Sequence, residues 1–88
     1  MRELVASNYF SKKLGKFLKF HPELEKKTQK TFEILMKDVF LPVLETHKLS
    51  GKLKTLYGAS INFEYRIVFD FDEKNVFLVN IGSHDEVY

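Results

Sequence analysis

Glu64 and Arg66 stand two apart in the run INFEYRIVFDFD. On an extended strand that spacing puts both side chains on one face, with Cα atoms roughly 6.5–7 Å apart. A guanidinium there offers a planar fork suited to a phosphate, and a carboxylate beside it can accept a proton. The same pair also suits a surface ion pair, contributing at most about 1 kcal/mol. His84 lies near the end of the sequence, in IGSHDEVY, followed by Asp85 and Glu86. An imidazole with an ordinary pKa of about 6.5 can act as acid or base near neutrality, and a neighbouring carboxylate favours its charged form. The plain alternative is a terminal histidine in solvent. His47 sits in a basic stretch with Lys48, Lys52 and Lys54. Such a group holds a polyanionic backbone by charge and loosens as salt rises. Tyr88 offers a ring for stacking on an unpaired base, or is simply a disordered last residue. His21, in front of Pro22, reads as structural.

These types fit one chemistry without a glycine-rich phosphate loop, a nucleophile elbow or a metal motif, none of which the sequence contains. RNA carries its own nucleophile, the 2′-hydroxyl. A protein has only to align it, take its proton, stabilise charge on phosphorus and protonate the leaving 5′-oxygen. One arginine, one histidine and a basic surround form a minimal set, and no cofactor is expected. The sequence has no cysteine and three scattered histidines, so neither a disulfide nor a metal site is expected.

The 88 residues suit one domain, 1–88, with a small core to which nine Phe and four Tyr must contribute heavily. No apolar run approaches the ~20 residues of a membrane span, and the N-terminus lacks a signal-peptide pattern. A cytoplasmic protein without membrane partners is expected. Net charge is only +2, but it is unevenly spread. Lys12, Lys13, Lys16 and Lys19 form one acid-free cluster and the His47–Lys54 stretch a second, whereas six acids against Arg66 and Lys74 follow Ala59. Two basic clusters suit a polyanion or an acidic partner; for the first, a solvated helix face is the simpler reading.

The elements that must position these residues follow from periodicity. RELVA, Arg2–Ala6, reads as a short strand, and Ser7 or Asn8 caps a helix with Phe10, Leu14, Phe17 and Leu18 on one stripe. Pro22 fits the first turn of a second helix, buried through Leu24, Phe32, Leu35, Met36, Val39 and Phe40 and ended at or just before Pro42. Residues 42–51 read as a loop, 53–57 as a strand and 58–60 as a turn. Ile61, Phe63, Tyr65, Ile67, Phe69 and Phe71 then alternate without a gap, with Val68 in the opposite, mostly wet phase. Residues 72–75 turn the chain into a last strand, VFLVNIG. The expectation is an α+β architecture: two N-terminal helices packed on one face of a small twisted, mainly antiparallel sheet. The other face is left bare for Glu64 and Arg66. Antiparallel pairing brings residues 81–84 beside 62–66.

HKLSGKLKTLYGASINFEYRIVF, followed by NIGSHDEVY, resembles the RelE/ParE superfamily of toxins from toxin–antitoxin modules, most nearly its YafQ-like and YoeB-like branches. The likeness spans nearly the whole chain. It is most specific at His47–Gly51, Glu64–Phe69 and the IGSHDEVY tail. It implies a RelE-like fold and a ribosome-dependent mRNA endonuclease that works in the ribosomal A site and is blocked by a cognate antitoxin. It implies catalytic roles for Glu64, Arg66, His84 and His47. It also implies RNA contacts from Lys48, Lys52, Lys54 and the terminal aromatic Tyr88. Arg66 matches the YoeB and RelE arginine, and His84 the terminal histidine of both nearest branches. Two positions depart: Ser60 stands where YafQ-like toxins have a further histidine, and Val43 where YoeB-like toxins have a glutamate. Glu64 is then the first choice as general base and His47 the second. ParE-like toxins share the fold and bind gyrase instead, and an inactive, antitoxin-binding homologue is a third reading.

Overall fold

The computed structural model describes residues 1–53 and 55–88. Strand β1 (Glu3–Ala6) leads into helix α1 (Asn8–Phe20), and Ser7 caps that helix by accepting from the Phe10 amide at 3.1 Å. After a 3₁₀ turn opened by Pro22 comes helix α2 (Glu25–Lys37). Strands β2 (His47–Lys48), β3 (Tyr57–Ser60), β4 (Tyr65–Phe71) and β5 (Asn75–Ser83) follow, then a single helical turn, α3 (His84–Val87). The sheet order is β1-β5-β4-β3-β2. All neighbours are antiparallel except β1, which lies parallel to β5.

Phe10 and Phe17 of α1 and Leu35 of α2 bury against Ala59, Ile67, Phe69, Val76, Leu78 and Ile81 of the sheet. Two helices thus cover one face of a five-stranded, mainly antiparallel sheet, the α+β architecture expected. The β4–β5 pairing sets Tyr65 opposite Ser83 and Arg66 opposite Gly82, with a bulge at Val79 where the register shifts between Val68 and Phe69. The hairpin turn at 72–75 is closed by Asp72, whose carboxylate accepts the amides of Lys74 and Asn75, each at 2.8 Å. No helix among the described residues is long and apolar enough to cross a membrane.

Local chemistry overrode periodicity at five places. Helix α2 stops at Lys37, well before Pro42, because Asp38 is extended and its carboxylate takes the Phe40 amide. Phe40 is left 56% exposed, its ring edge-on to Tyr57 and Phe71. The loop after Pro42 contains a 3₁₀ turn and β2. The strand expected at 53–57 and the turn at 58–60 are displaced: residues 57–60 are the strand, with Gly58 and Ala59 buried in it. The turn falls at 61–64, where the Asn62 carboxamide oxygen accepts the amides of Glu64 and Tyr65. Ile61 donates to the Tyr65 carbonyl, and Phe63 at the tip is 93% exposed rather than in the core. Val68 is buried as deeply as its neighbours Ile67 and Phe69, because the helix-free face of the sheet is not bare at that point.

Candidate functional site

The chain's end covers that face. Ser83 is the N-cap of α3: its hydroxyl accepts from the Glu86 amide while the Glu86 carboxylate accepts from the Ser83 amide. This reciprocal pair satisfies two donors the first helical turn would leave open. It holds the Glu86 carboxyl below its ordinary range, with Lys13 and His21 adding to the effect. The turn is tied to the sheet by the His84 amide, which donates to the Glu64 carbonyl at 3.2 Å. Val87 buries over Gly82. Tyr88 lies over Gly58, the β3 partner of Val68.

Four side chains gather there. The Tyr88 ring meets His84 at 4.6 Å and His47 at 5.5 Å between centroids, edge to face with both. His47, Lys48, His84 and Tyr88 line an open cleft of about 270 Å³ together with Leu49, Ser50 and Leu53. The His84 side chain is 63% exposed and its Nδ1 lies 3.5 Å from the Asp85 carboxylate. His47 is oriented from its other side. Its Nδ1 lies 3.2 Å from the carbonyl of Glu45, a residue in the left-handed conformation (φ 50). With Nδ1 donating there, Nε2 of the neutral ring is the acceptor.

Arg66 on β4 is not part of the cleft lining, but it lies near enough to Tyr88 for its charge to act on the hydroxyl. Its guanidinium is fixed on one side only: Nη1 donates to the carbonyls of Asn62 at 2.5 Å and Tyr65 at 3.1 Å and to the Ser60 hydroxyl at 3.3 Å. It makes no ion pair with Glu64 or any other acid among the described residues, so its charge is uncompensated. Its field opposes the effect of burial, which raises the Tyr88 hydroxyl above its ordinary value.

The expected residues are therefore not all in one place. His47, Lys48, His84 and Tyr88 share the cleft, and Arg66 lies outside its lining, near Tyr88. Glu64 is exposed on the 61–64 turn, joined to His84 through its backbone rather than its carboxylate. Lys52 is exposed in the 3₁₀ turn at 51–53, and Lys54 lies outside the described residues. Among the described residues no cluster of three or more His, Cys, Asp or Glu is arranged to hold a metal. Sequence reading gave no sign that Asn62 holds Arg66 or that Glu45 and Gly58 shape the site, and it marked Ser60 only as a departure and not as an Arg66 partner. It also passed over the cap on α3, whose signal was present as Ser83-x-x-Glu86.

No family model matches the chain, and no curated protein sequence matches it significantly. Solved structures do. YafQ from E. coli strain BL21(DE3) aligns with a TM-score of 0.83 at 19% identity, covering 100% of this chain and 99% of that one. A copper-bound mutant toxin from Helicobacter pylori aligns at 0.82 and 24% identity, over all of both chains. A YoeB–YefM complex from Staphylococcus aureus aligns at 0.77 and 18%, over 96% of this chain and 98% of that one. The chain has the fold of these proteins from end to end.

Proposed function

We propose that this chain is a toxin of the RelE/ParE superfamily, close to YafQ, and that it cuts messenger RNA on the ribosome until a cognate antitoxin covers it. The fold shared with YafQ and with YoeB in its complex supports the toxin class. The observation that carries the enzymatic reading is the guanidinium of Arg66, without an ion pair among the described residues, close to the Tyr88 that two imidazoles flank. This is the equipment for moving a proton on and off a phosphodiester while neutralising its charge.

In this reading a scissile phosphate sits against Arg66, whose free guanidinium edge binds the non-bridging oxygens as charge builds on phosphorus. A base removes the proton of the 2′-hydroxyl, and the O2′–P bond forms. The P–O5′ bond breaks as protonated His84 gives its proton to the departing oxygen. The products are a 2′,3′-cyclic phosphate and a 5′-hydroxyl, and no oxidant or metal enters the balance. Glu64 is the first candidate for the base and His47 the second. Lys48, Lys52 and Lys54 supply charge for the RNA backbone, and Tyr88 contacts the base beside the cut. An antitoxin with an acidic segment suits the basic rim of the cleft.

A translation extract with a reporter message tests this. The protein is expected to cut at codon boundaries only when ribosomes are present. His84→Gln and Arg66→Ala are each expected to abolish cutting while the circular dichroism spectrum is retained. Full activity in either variant would remove that residue from the mechanism.

A further inference from the structure

Gly58 lies within β3, one strand in from the β2 edge of the sheet, paired with Val68 on one side and His47 on the other. Glycine weakens a strand interior, and where it occurs it commonly marks a close approach of another group. Its backbone here is not in the left-handed region, unlike that of Gly51, so conformational freedom is not the reason for it. Space is. A Cβ at this position would overlap the Tyr88 Oη and lie 2.7 Å from its Cζ, closer than such atoms come in folded proteins.

What seats itself in that space connects the two imidazoles. His47 is the direct cross-strand neighbour of Gly58. His84 is one helical turn before Tyr88, and the Tyr88 amide donates to its carbonyl at 3.0 Å. The ring resting on Gly58 therefore touches a histidine from β2 and a histidine from α3 at once. The Tyr88 hydroxyl is buried without a hydrogen-bond partner among the described residues, and the shape of the seat on Gly58 sets its position. An unpartnered buried hydroxyl is costly, and it is kept where ring packing requires it.

We propose that Gly58 is a positioning residue of the site: having no side chain, it seats the Tyr88 ring between His47 and His84 and so fixes the spacing and tilt of the two imidazoles. The inference rests on the ribonuclease reading for its consequence, but not for its observation. Gly58→Ala pushes the ring off the sheet, and both histidines lose their common neighbour. Misplacement of catalytic groups by about 1 Å can cost on the order of a hundredfold. Cleavage is therefore expected to fall at least about tenfold in kcat with little change in KM, and its pH profile to shift.

The direct test is NMR of the histidine ring protons and of their titration, which needs no RNA. In the native protein both His47 and His84 should show the displacement caused by an adjacent aromatic ring. Gly58→Ala should abolish it for both, and Tyr88→Ala, which removes the ring without adding an atom, should do the same. Tyr88→Phe, which leaves the ring and removes only the unbonded hydroxyl, should retain it. A folded Gly58→Ala protein with both histidine signals unmoved would overturn the proposal. Should that variant not fold, an unmoved His47 in Tyr88→Ala would overturn it equally. Loss of the ring effect in a protein whose native form cuts no RNA would uphold the positioning role and reject the ribonuclease reading. The two failures are thus distinguishable.

Discussion

At the scale of single residues the site is a contrast between groups whose bonding is spent and groups whose bonding is open. Nδ1 of His47 faces the Glu45 carbonyl and Nη1 of Arg66 is held by Asn62, Tyr65 and Ser60, while Nε2 of His47 and the other guanidinium nitrogens have no hydrogen-bond partner among the described residues. Glu64 is less constrained, since its carboxylate has no partner among the described residues. This difference separates the two candidate bases. A carboxylate base and an imidazole base differ in the rising limb they give cleavage against pH, the imidazole imposing its limb at the higher pH. With His47 as base, His47→Ala is expected to remove that limb along with most of the rate, and Glu64→Gln to change the rate less than tenfold. With Glu64 as base the magnitudes reverse. Rates of the two variants measured from pH 5 to 8 decide it.

At the scale of elements, α3 is the piece on which the site turns. It is four residues long, far too short to persist alone, and it stands because of its cap and its contacts with β4 and β5. Ser83→Ala is expected to cost about 1 kcal/mol and to raise amide exchange of Glu86 and Tyr88 before any other part of the sheet opens. The hairpin turn at Asp72 depends on the same kind of bond, a carboxylate taking backbone amides. Asp72 and Glu86 are both held below their ordinary values by those bonds, so near pH 4 the folded state binds fewer protons than the unfolded one. Their stabilisation is fully present above the unfolded-state values near 4 and is lost as pH falls through the lower folded-state values. Asp72→Asn and Glu86→Gln should each lower stability at pH 7 and flatten the acid limb of melting temperature against pH. A limb of unchanged steepness in both variants would contradict the role given to these caps.

At the scale of the whole molecule, a chain of this length has one thin core and little margin. Helices and sheet meet through Phe10, Phe17 and Leu35, on the opposite side of the sheet from the cleft. Leu35 is fully buried; Leu35→Ala is expected to cost 2–5 kcal/mol, a large share of the roughly 5–15 kcal/mol that holds a domain of this kind. Chemical denaturation would measure it. The consequence for the site is indirect: β4 carries Ile67 and Phe69 into the core and holds Arg66 near Tyr88. Loosening the core therefore moves the arginine relative to the histidines, and activity should fall with stability although no cleft residue has changed.

The sequence by itself determined the first strand, the two helices, a cap at Ser7 or Asn8, the break at Pro22, the Asp72 hairpin and the nearness of residues 81–84 to 62–66. Each is written in neighbouring residues, through period, capping or turn chemistry. It also carried, in the runs HKLSGKLKTLYGASINFEYRIVF and NIGSHDEVY, a resemblance that agreed with the α+β fold expected from periodicity. Only the tertiary structure decided that the strand begins at Tyr65 and leaves Phe63 in solvent, that Glu64 is set apart from the cleft, and that Val68 is covered. It alone showed Tyr88 seated on Gly58 between two imidazoles. The 61–64 turn is local, held by the Asn62 carboxamide, a bond that alternation does not register, whereas the seat of Tyr88 depends on residues thirty and forty-one positions away, Gly58 and His47. Alternation describes what a strand's own faces prefer, but not which distant segment will fold back to cover one of them.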